Sequence, residues 1–195
     1  MQTKATNPIS LLAGREVSPL VEAFFEFAHL KQLYRQGWLK RGVPPECCES
    51  VAEHSLGVAV LAMWLARAVF PELDVTRLLS MAIIHDFGEI YTGDVVPSDA
   101  VNADEKHLLE LESIQQVLAK LPHGVEYLAV WEEFERGESS EACFIRQVDR
   151  LEMGFQAAIY GLQGLVDPAE FMQTTEQALS DPRLKLIFTE LVGQV

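Results

Sequence analysis

The chain has 195 residues, with 29 acidic against 15 basic side chains, a formal net charge of −14 and an apolar share of 49%. That length fits one domain, and that share supplies a sizeable core, which argues against disorder. The acidic excess argues against polymeric nucleic acid, whose phosphates need clustered Lys and Arg, and against an anionic membrane surface.

Residues 1–17 are polar and aperiodic and are expected to form a loose leader to a domain spanning 18–195. Ser18 and Pro19 suit an N-cap and first turn. Leu20, Phe24, Phe27, Leu30 and Tyr34 then recur at three and four, which predicts one helix ending at Gly37. Gly42 to Pro45 read as a loop. Ser50-Val51-Ala52-Glu53 has the spacing of a capping box and opens a nearly all-apolar helix through Val69, stopped by Pro71. Asp74 caps a third helix reaching about His85, and Gly93 and Pro97 fall in the loop beyond it. A more polar helix is predicted over Ala103 to Leu121, broken by Pro122 and Gly124, and a shorter one over Val125 to Glu135. Ser140 to Leu162 reads as a long helix. Asp167-Pro168-Ala169-Glu170 and Asp181-Pro182 open the last two. No alternating strand pattern is present. The expected fold class is an all-α, single-domain bundle of seven or eight helices.

Cys47, Cys48 and Cys143 do not make a disulfide framework in a chain this long and are expected to be free thiols. The N-terminus lacks a basic stretch before an apolar one, so no signal peptide is expected. No apolar run is expected to span a membrane, and the expected compartment is the cytoplasm.

Five histidines are present: His29, His54, His85, His107 and His123. His85-Asp86 ends the apolar stretch Leu78 to Ile84, so two ionisable side chains emerge from a buried helix and need a partner or a metal to offset desolvation. His54 lies near the start of another apolar helix, and Asp149 is flanked by Val148 and Leu151. Two imidazoles and two carboxylates suit a borderline divalent ion such as Mn, Co, Zn or Fe better than Mg or Ca. The same residues also fit a pair of structural histidines with caps and surface acids. Glu89 lies four residues after His85 and three after Asp86, and Asp94 follows Gly93. A carboxylate beside such a metal can act as general base or acid, or can be an ordinary solvated acid.

Glu53-His54-Ser55, His85-Asp86-x-x-Glu89, Gly93-Asp94, Pro97 and Gln147-x-Asp149-x-x-Glu152 together resemble the HD-domain phosphohydrolases, and within them the 5′-deoxynucleotidase branch. Leu30-Lys31-x-Leu33-x-Arg35-x-Gly37-Trp38-Leu39-x-Arg41-Gly42-Val43 is similar to the same branch. So are Glu105-Lys106-His107 and Trp131-Glu132-Glu133-Phe134-Glu135. The resemblance covers about residues 24–162.

The resemblance implies an all-α bundle holding one divalent ion (Mn, Co, Zn, Fe or Mg) through His54, His85, Asp86 and Asp149. It implies hydrolysis of nucleoside 5′-monophosphates, with 2′-deoxyribonucleotides preferred, to nucleoside and inorganic phosphate by a metal-bound water. Arg35 matches the phosphate-binding residue, Glu89 the catalytic acid, and Asp94 a residue that contacts the sugar hydroxyl or supports catalysis. The bacterial enzyme screens the sugar with a Trp directly after this Arg. Gln36 stands there instead, and Trp38, three places on from Arg35, is assigned to the substrate in its place.

A dinuclear HD class, containing oxygenases and cyclic-dinucleotide phosphodiesterases, takes extra histidines from the interval that holds His107 and His123. Here both read as surface residues. A non-catalytic nucleotide sensor is a further alternative, opposed by the complete set of candidate ligands and Glu89. His29 reads as a packed or rim residue. Arg41 reads equally as a phosphate contact or a loop charge, and Lys106 as a solvated one. Trp38, Trp64 and Trp131 also suit the core, as do Met63, Met81 and Met153. The resemblance also implies a homodimer, which an exposed apolar patch on one of the helices after Gly164 could serve; the sequence does not locate the interface. The metal and Arg35 together would make the pocket locally positive inside an acidic shell.

Overall fold

The computed structural model describes residues 1–96, 99 and 102–192; the predicted loop residue Pro97 lies outside them. Among the described residues there is no strand. Eight helices of nine residues or more occur: α1 (Pro19–Phe27), α3 (Val51–Ala68), α4 (Val75–Ile84), α6 (Ala103–Leu118), α7 (Gly124–Arg136), α8 (Ser140–Leu162), α9 (Ala169–Ala178) and α10 (Pro182–Val192). Two short ones join them: α2 (Gln36–Lys40) and α5 (Glu89–Thr92).

The helix starts follow the caps. Ser18 caps α1 through Val21, and Asp74 caps α4 through Thr76 and Arg77. Ser50 and Glu53 form a reciprocal capping box on α3. Ser139 caps α8. The left-handed Gly137 ends α7.

The main core lies where α3, α4, α8 and α10 meet. Val58, Ala62, Met81, Ala82, Ile145, Val148, Leu151 and Leu184 are fully buried there. Ala59, Ala62 and Ala66 on α3 let α4 approach closely. Truncating a side chain such as Leu151 to Ala should cost roughly 2–5 kcal/mol. Helix α3 meets the length and apolarity of a minimal membrane span, contrary to the sequence expectation, with mean hydropathy 1.2 over 18 residues. It is a core helix nonetheless: its contact faces pack on α4 and α8, and it buries His54.

The predicted Pro19–Gly37 helix is a second departure. Helix α1 stops at Phe27, a 3₁₀ turn covers Ala28–Lys31, and residues 33–35 are extended. Leu33 accepts from the Val51 N–H at 2.9 Å, and the Arg35 N–H donates to the Glu49 carbonyl at 3.1 Å. Leu30 and Leu33 are buried in the irregular stretch as they would be in a helix, so apolar spacing alone does not distinguish the two. Gly37 lies inside α2. The leader is not loose either. Pro8–Leu12 form a 3₁₀ turn, and Thr3 bridges to Leu33.

Candidate metal centre and phosphate site

Three segments of different origin converge on one end of the core. Helix α3 carries His54 in its first turn, His85 caps the end of α4 with Asp86 directly after it, and α8 carries Asp149 in its middle. His54 Nε2 lies 3.1 Å from Asp149 Oδ1 and 3.8 Å from Asp86 Oδ2. His85 Nε2 lies 3.2 Å from Asp86 Oδ2, and the two imidazole centroids are 5.5 Å apart. Donor atoms of His54, His85 and Asp149 all fall within 4.8 Å of one another.

The surroundings fix which ring nitrogen faces inward. His85 Nδ1 donates to the Ala82 carbonyl at 2.8 Å, so Nε2 carries the free lone pair. That nitrogen and Asp86 Oδ2 are both buried without a hydrogen-bond partner. Buried polar atoms without partners are uncommon and need an explanation. His54 Nδ1 donates to Glu152 Oε2 at 2.6 Å, which turns its Nε2 toward the same point.

These atoms fit a divalent ion. Bonds of about 2.0–2.2 Å to N and O place neighbouring donors roughly 3–4 Å apart, and the separations here match. A cation would also balance the local charge. Without one, burial and Arg35 push the His54 pKa down, but the hydrogen bonds to Asp149 and Glu152 outweigh them and raise it to about 10. Burial opposes ionisation of Asp149, yet the His54 hydrogen bond holds its carboxyl far below the usual range. Asp86 is likewise held low, by His85, His54 and Arg35 against burial.

Arg35 caps α2 from the opposite wall. Its Nη1 stands 3.9 Å from Asp86 Oδ2 and 3.6 Å from Asp94 Oδ1. Burial opposes its charge, but Asp94, Asp86, Glu89 and Asp149 keep it firmly protonated. Asp94 is buried, and its Oδ2 accepts the first free N–H of α2, from Gln36, at 2.5 Å. Gly93 before it has φ 75°, a left-handed conformation that favours glycine. Glu89 opens α5 and is buried, and its Oε2 has no partner. Burial, then the Asp86 and Asp94 carboxylates, hold its proton well above the usual carboxylate range against Arg35 and Lys106.

Of the site residues expected from sequence, His54, His85, Asp86, Asp149, Glu89, Arg35 and Asp94 gather in this region. Trp38 does not present a face to it. It is 2% exposed, packs on Tyr160 and Phe171 with centroids at 5.2 and 4.2 Å, and donates to Glu49 Oε1. A ring this buried has no open face to stack on a sugar or base, so its assignment to the substrate is corrected. His107 pairs with Glu135 and stacks on Trp131, while His123 is exposed beside Glu126. Neither belongs to the donor cluster. His29 Nδ1 donates to the Ile90 carbonyl at 2.6 Å, as a packed residue does. Arg41 pairs with Glu170 and Lys106 with Glu110. Met81 and Trp131 are core, Met63 and Met153 are partly buried, and Trp64 is exposed rather than core. Cys47, Cys48 and Cys143 are free.

Two contributors carry no assigned role in the sequence reading. Glu152 orients His54, and Gly57 on α3 makes its approach possible, because a Cβ there would collide with the carboxylate. The spacing from Asp149, one turn along α8, is the signal that points to it. Trp131 Nε1 donates to the His85 carbonyl at 3.0 Å and holds the end of α4. No sequence pattern marks that bond.

The helical fold and a cluster of histidines and carboxylates that could hold a metal define a class, the helical metal-dependent hydrolases. Within it, the chain belongs to the HD-domain family, whose pattern matches residues 27–186. The 5′-deoxynucleotidase HDDC2 of Bos taurus is 31% identical over 97% of this chain and 92% of its own length. That of Mus musculus is 34% identical over 83% of this chain and 81% of its own. Among solved structures, a conserved hypothetical protein from Pyrococcus furiosus superposes with TM-score 0.73 at 31% identity, over 88% of this chain and 98% of its own. A protein described as a predicted metal-dependent phosphohydrolase, from Magnetospirillum magnetotacticum, gives 0.66 at 25% identity over 90% of each chain.

Proposed function

We propose that the chain is a metal-dependent phosphomonoesterase that converts nucleoside 5′-monophosphates, 2′-deoxyribonucleotides above all, to nucleoside and inorganic phosphate. The observation that carries this reading is the Arg35 guanidinium facing a donor set for a divalent cation, with the buried Glu89 carboxyl close to the Asp86 and Asp94 carboxylates. The names of the relatives support the substrate class.

His54, His85, Asp86 and Asp149 would hold one ion. When bound, it supplies Lewis acidity to a phosphoryl oxygen and lowers the pKa of a water it holds. The chain's own groups do the rest. Arg35 grips two phosphate oxygens through its planar fork and neutralises charge as it spreads over them. Asp94, held by the Gln36 N–H, aims the guanidinium and offers Oδ1 to a sugar hydroxyl. Glu89 keeps its proton in a buried setting and delivers it to the departing O5′. Trp38 is removed from the contact set, and Gln36 in place of a Trp leaves Asp94 as the group nearest the sugar in this proposal.

The expected homodimer belongs to the same proposal, and the exposed Leu186 on α10, a helix after Gly164, supports it. Leu56, Trp64 and Ile159 are exposed on α3 and α8 around a cavity of about 1090 Å³.

The test is phosphate release from a panel of nucleoside and deoxynucleoside 5′-monophosphates, combined with elemental analysis of the purified protein. The proposal expects release that requires a divalent ion. Two irons per chain with no phosphatase activity would overturn it in favour of the dinuclear class.

A further inference from the structure

Gln36 has a second set of partners on the side away from Asp94. Its side chain is 5% exposed and turns toward the N-terminal segment. Oε1 accepts from the Gln2 N–H at 3.0 Å, and Nε2 donates to the Gln2 carbonyl at 2.8 Å and the Tyr34 carbonyl at 2.9 Å. A side-chain amide that both donates to and accepts from one residue's backbone acts as a strand partner would. The pairing continues along the chain: Thr3 bridges Leu33, and the Lys4 N–H donates to the Gln32 carbonyl at 2.7 Å. Lys4 Nζ then reaches Glu53 Oε2 at 2.9 Å, in the capping box one residue before His54. At the other end the Met1 side chain lies over Gly93, next to Asp94.

We propose that residues 2–4 form a strap that positions the phosphate half of the site, with Gln36 as the positioning residue that transmits it. The inference rests on the reading of Arg35 as the phosphate grip. Arg35 and Asp94 stand on short, largely non-helical backbone, so they lack the helix ladder that fixes His54 and Asp149. The backbone of Gln36 holds Asp94, its side chain holds Gln2, and its chain neighbour is Arg35. Displacing that residue by about 1 Å moves both groups, and misplacement on that scale costs on the order of a hundredfold in kcat/KM. Neither Gln2 nor the Gln36 side chain touches a reacting atom.

The test uses manganese-loaded full-length protein titrated calorimetrically with inorganic phosphate. Gln2→Pro removes the backbone donor and leaves the Gln36 amide intact. Gln36→Met keeps the side-chain length and removes the amide, while the backbone N–H to Asp94 remains. Both variants should weaken phosphate binding about tenfold or more, with manganese affinity and Tm unchanged. The KM for dAMP should rise in parallel, with a smaller fall in kcat. Gln36→Glu, which can accept from Gln2 but not donate to it, should fall between wild type and Gln36→Met. Wild-type phosphate affinity in Gln2→Pro overturns the strap, and so does a matching loss of manganese affinity, which marks general damage. A wild type that binds phosphate but hydrolyses no nucleotide overturns the proposed activity and leaves the strap to stand on the phosphate Kd. A wild type that binds no phosphate overturns both.

Discussion

The two halves of the site are built differently. The metal half draws His54 from the first turn of α3 and Asp149 from the middle of α8, an 18-residue and a 23-residue helix, and His85 from the cap of α4. Each of those elements buries an apolar face in the main core, so the donors are fixed by the packing of the whole molecule. The phosphate half draws Arg35 and Asp94 from an extended stretch and a loop, held by single hydrogen bonds and by a five-residue helix. The metal half is therefore set by hydrophobic burial and the phosphate half by polar contacts. Metal binding and phosphate binding should separate under mutation.

The largest expected effect breaks the metal half outright. Asp149→Ala removes a donor, and both metal content and turnover should fall below detection; stoichiometric metal in the purified variant would remove Asp149 from the ligand set. Glu89→Ala should lower kcat by about 10²–10⁴-fold while metal content and phosphate affinity persist. Undiminished turnover would refute its role as proton donor. Glu152→Ala acts on His54 from behind. Manganese affinity should weaken by roughly 10–100-fold, with phosphate affinity unchanged once metal is saturating. A fall in phosphate affinity alone would place Glu152 in the wrong half. The smallest effect is Ser50→Ala, which removes the α3 cap and should cost about 1 kcal/mol in urea unfolding, without altering either Kd.

The same division explains what was legible in the sequence. Helices α3, α4 and α8 announce themselves through the Ser50 box, the Asp74 cap and long apolar periodicity, and their ends match the structure within a few residues. Polar residues in those faces, His54, His85 and Asp149, stand out because an apolar setting makes them expensive. The segment from Ala28 to Arg35 gave no such signal. Its buried Leu30 and Leu33 fall at helical spacing, and the interactions that unwind it, Thr3 with Leu33 and Glu49 with Arg35, join residues far apart in sequence. The strap was missed for the same reason, since a polar leader shows no periodicity when its bonds are made by backbone. Trp38 illustrates the converse error. Proximity in sequence to Arg35 placed it at the substrate, but in α2 residues three apart share a side only approximately, and its ring turns to Tyr160 and Phe171.

The charge of −14 fits this division as well. Asp86, Asp149, Glu152 and Asp94 crowd one buried region with Arg35 as its fixed cation, so an anionic substrate needs a second positive charge there. The most direct test of the account strips the protein of metal with a chelator, removes the chelator, and follows phosphate release from dAMP as manganese is added back. The account predicts no turnover without metal and full recovery at about one ion per chain, with His54→Ala failing to recover. Full turnover by the metal-free protein, or recovery of His54→Ala at the same stoichiometry, would contradict it.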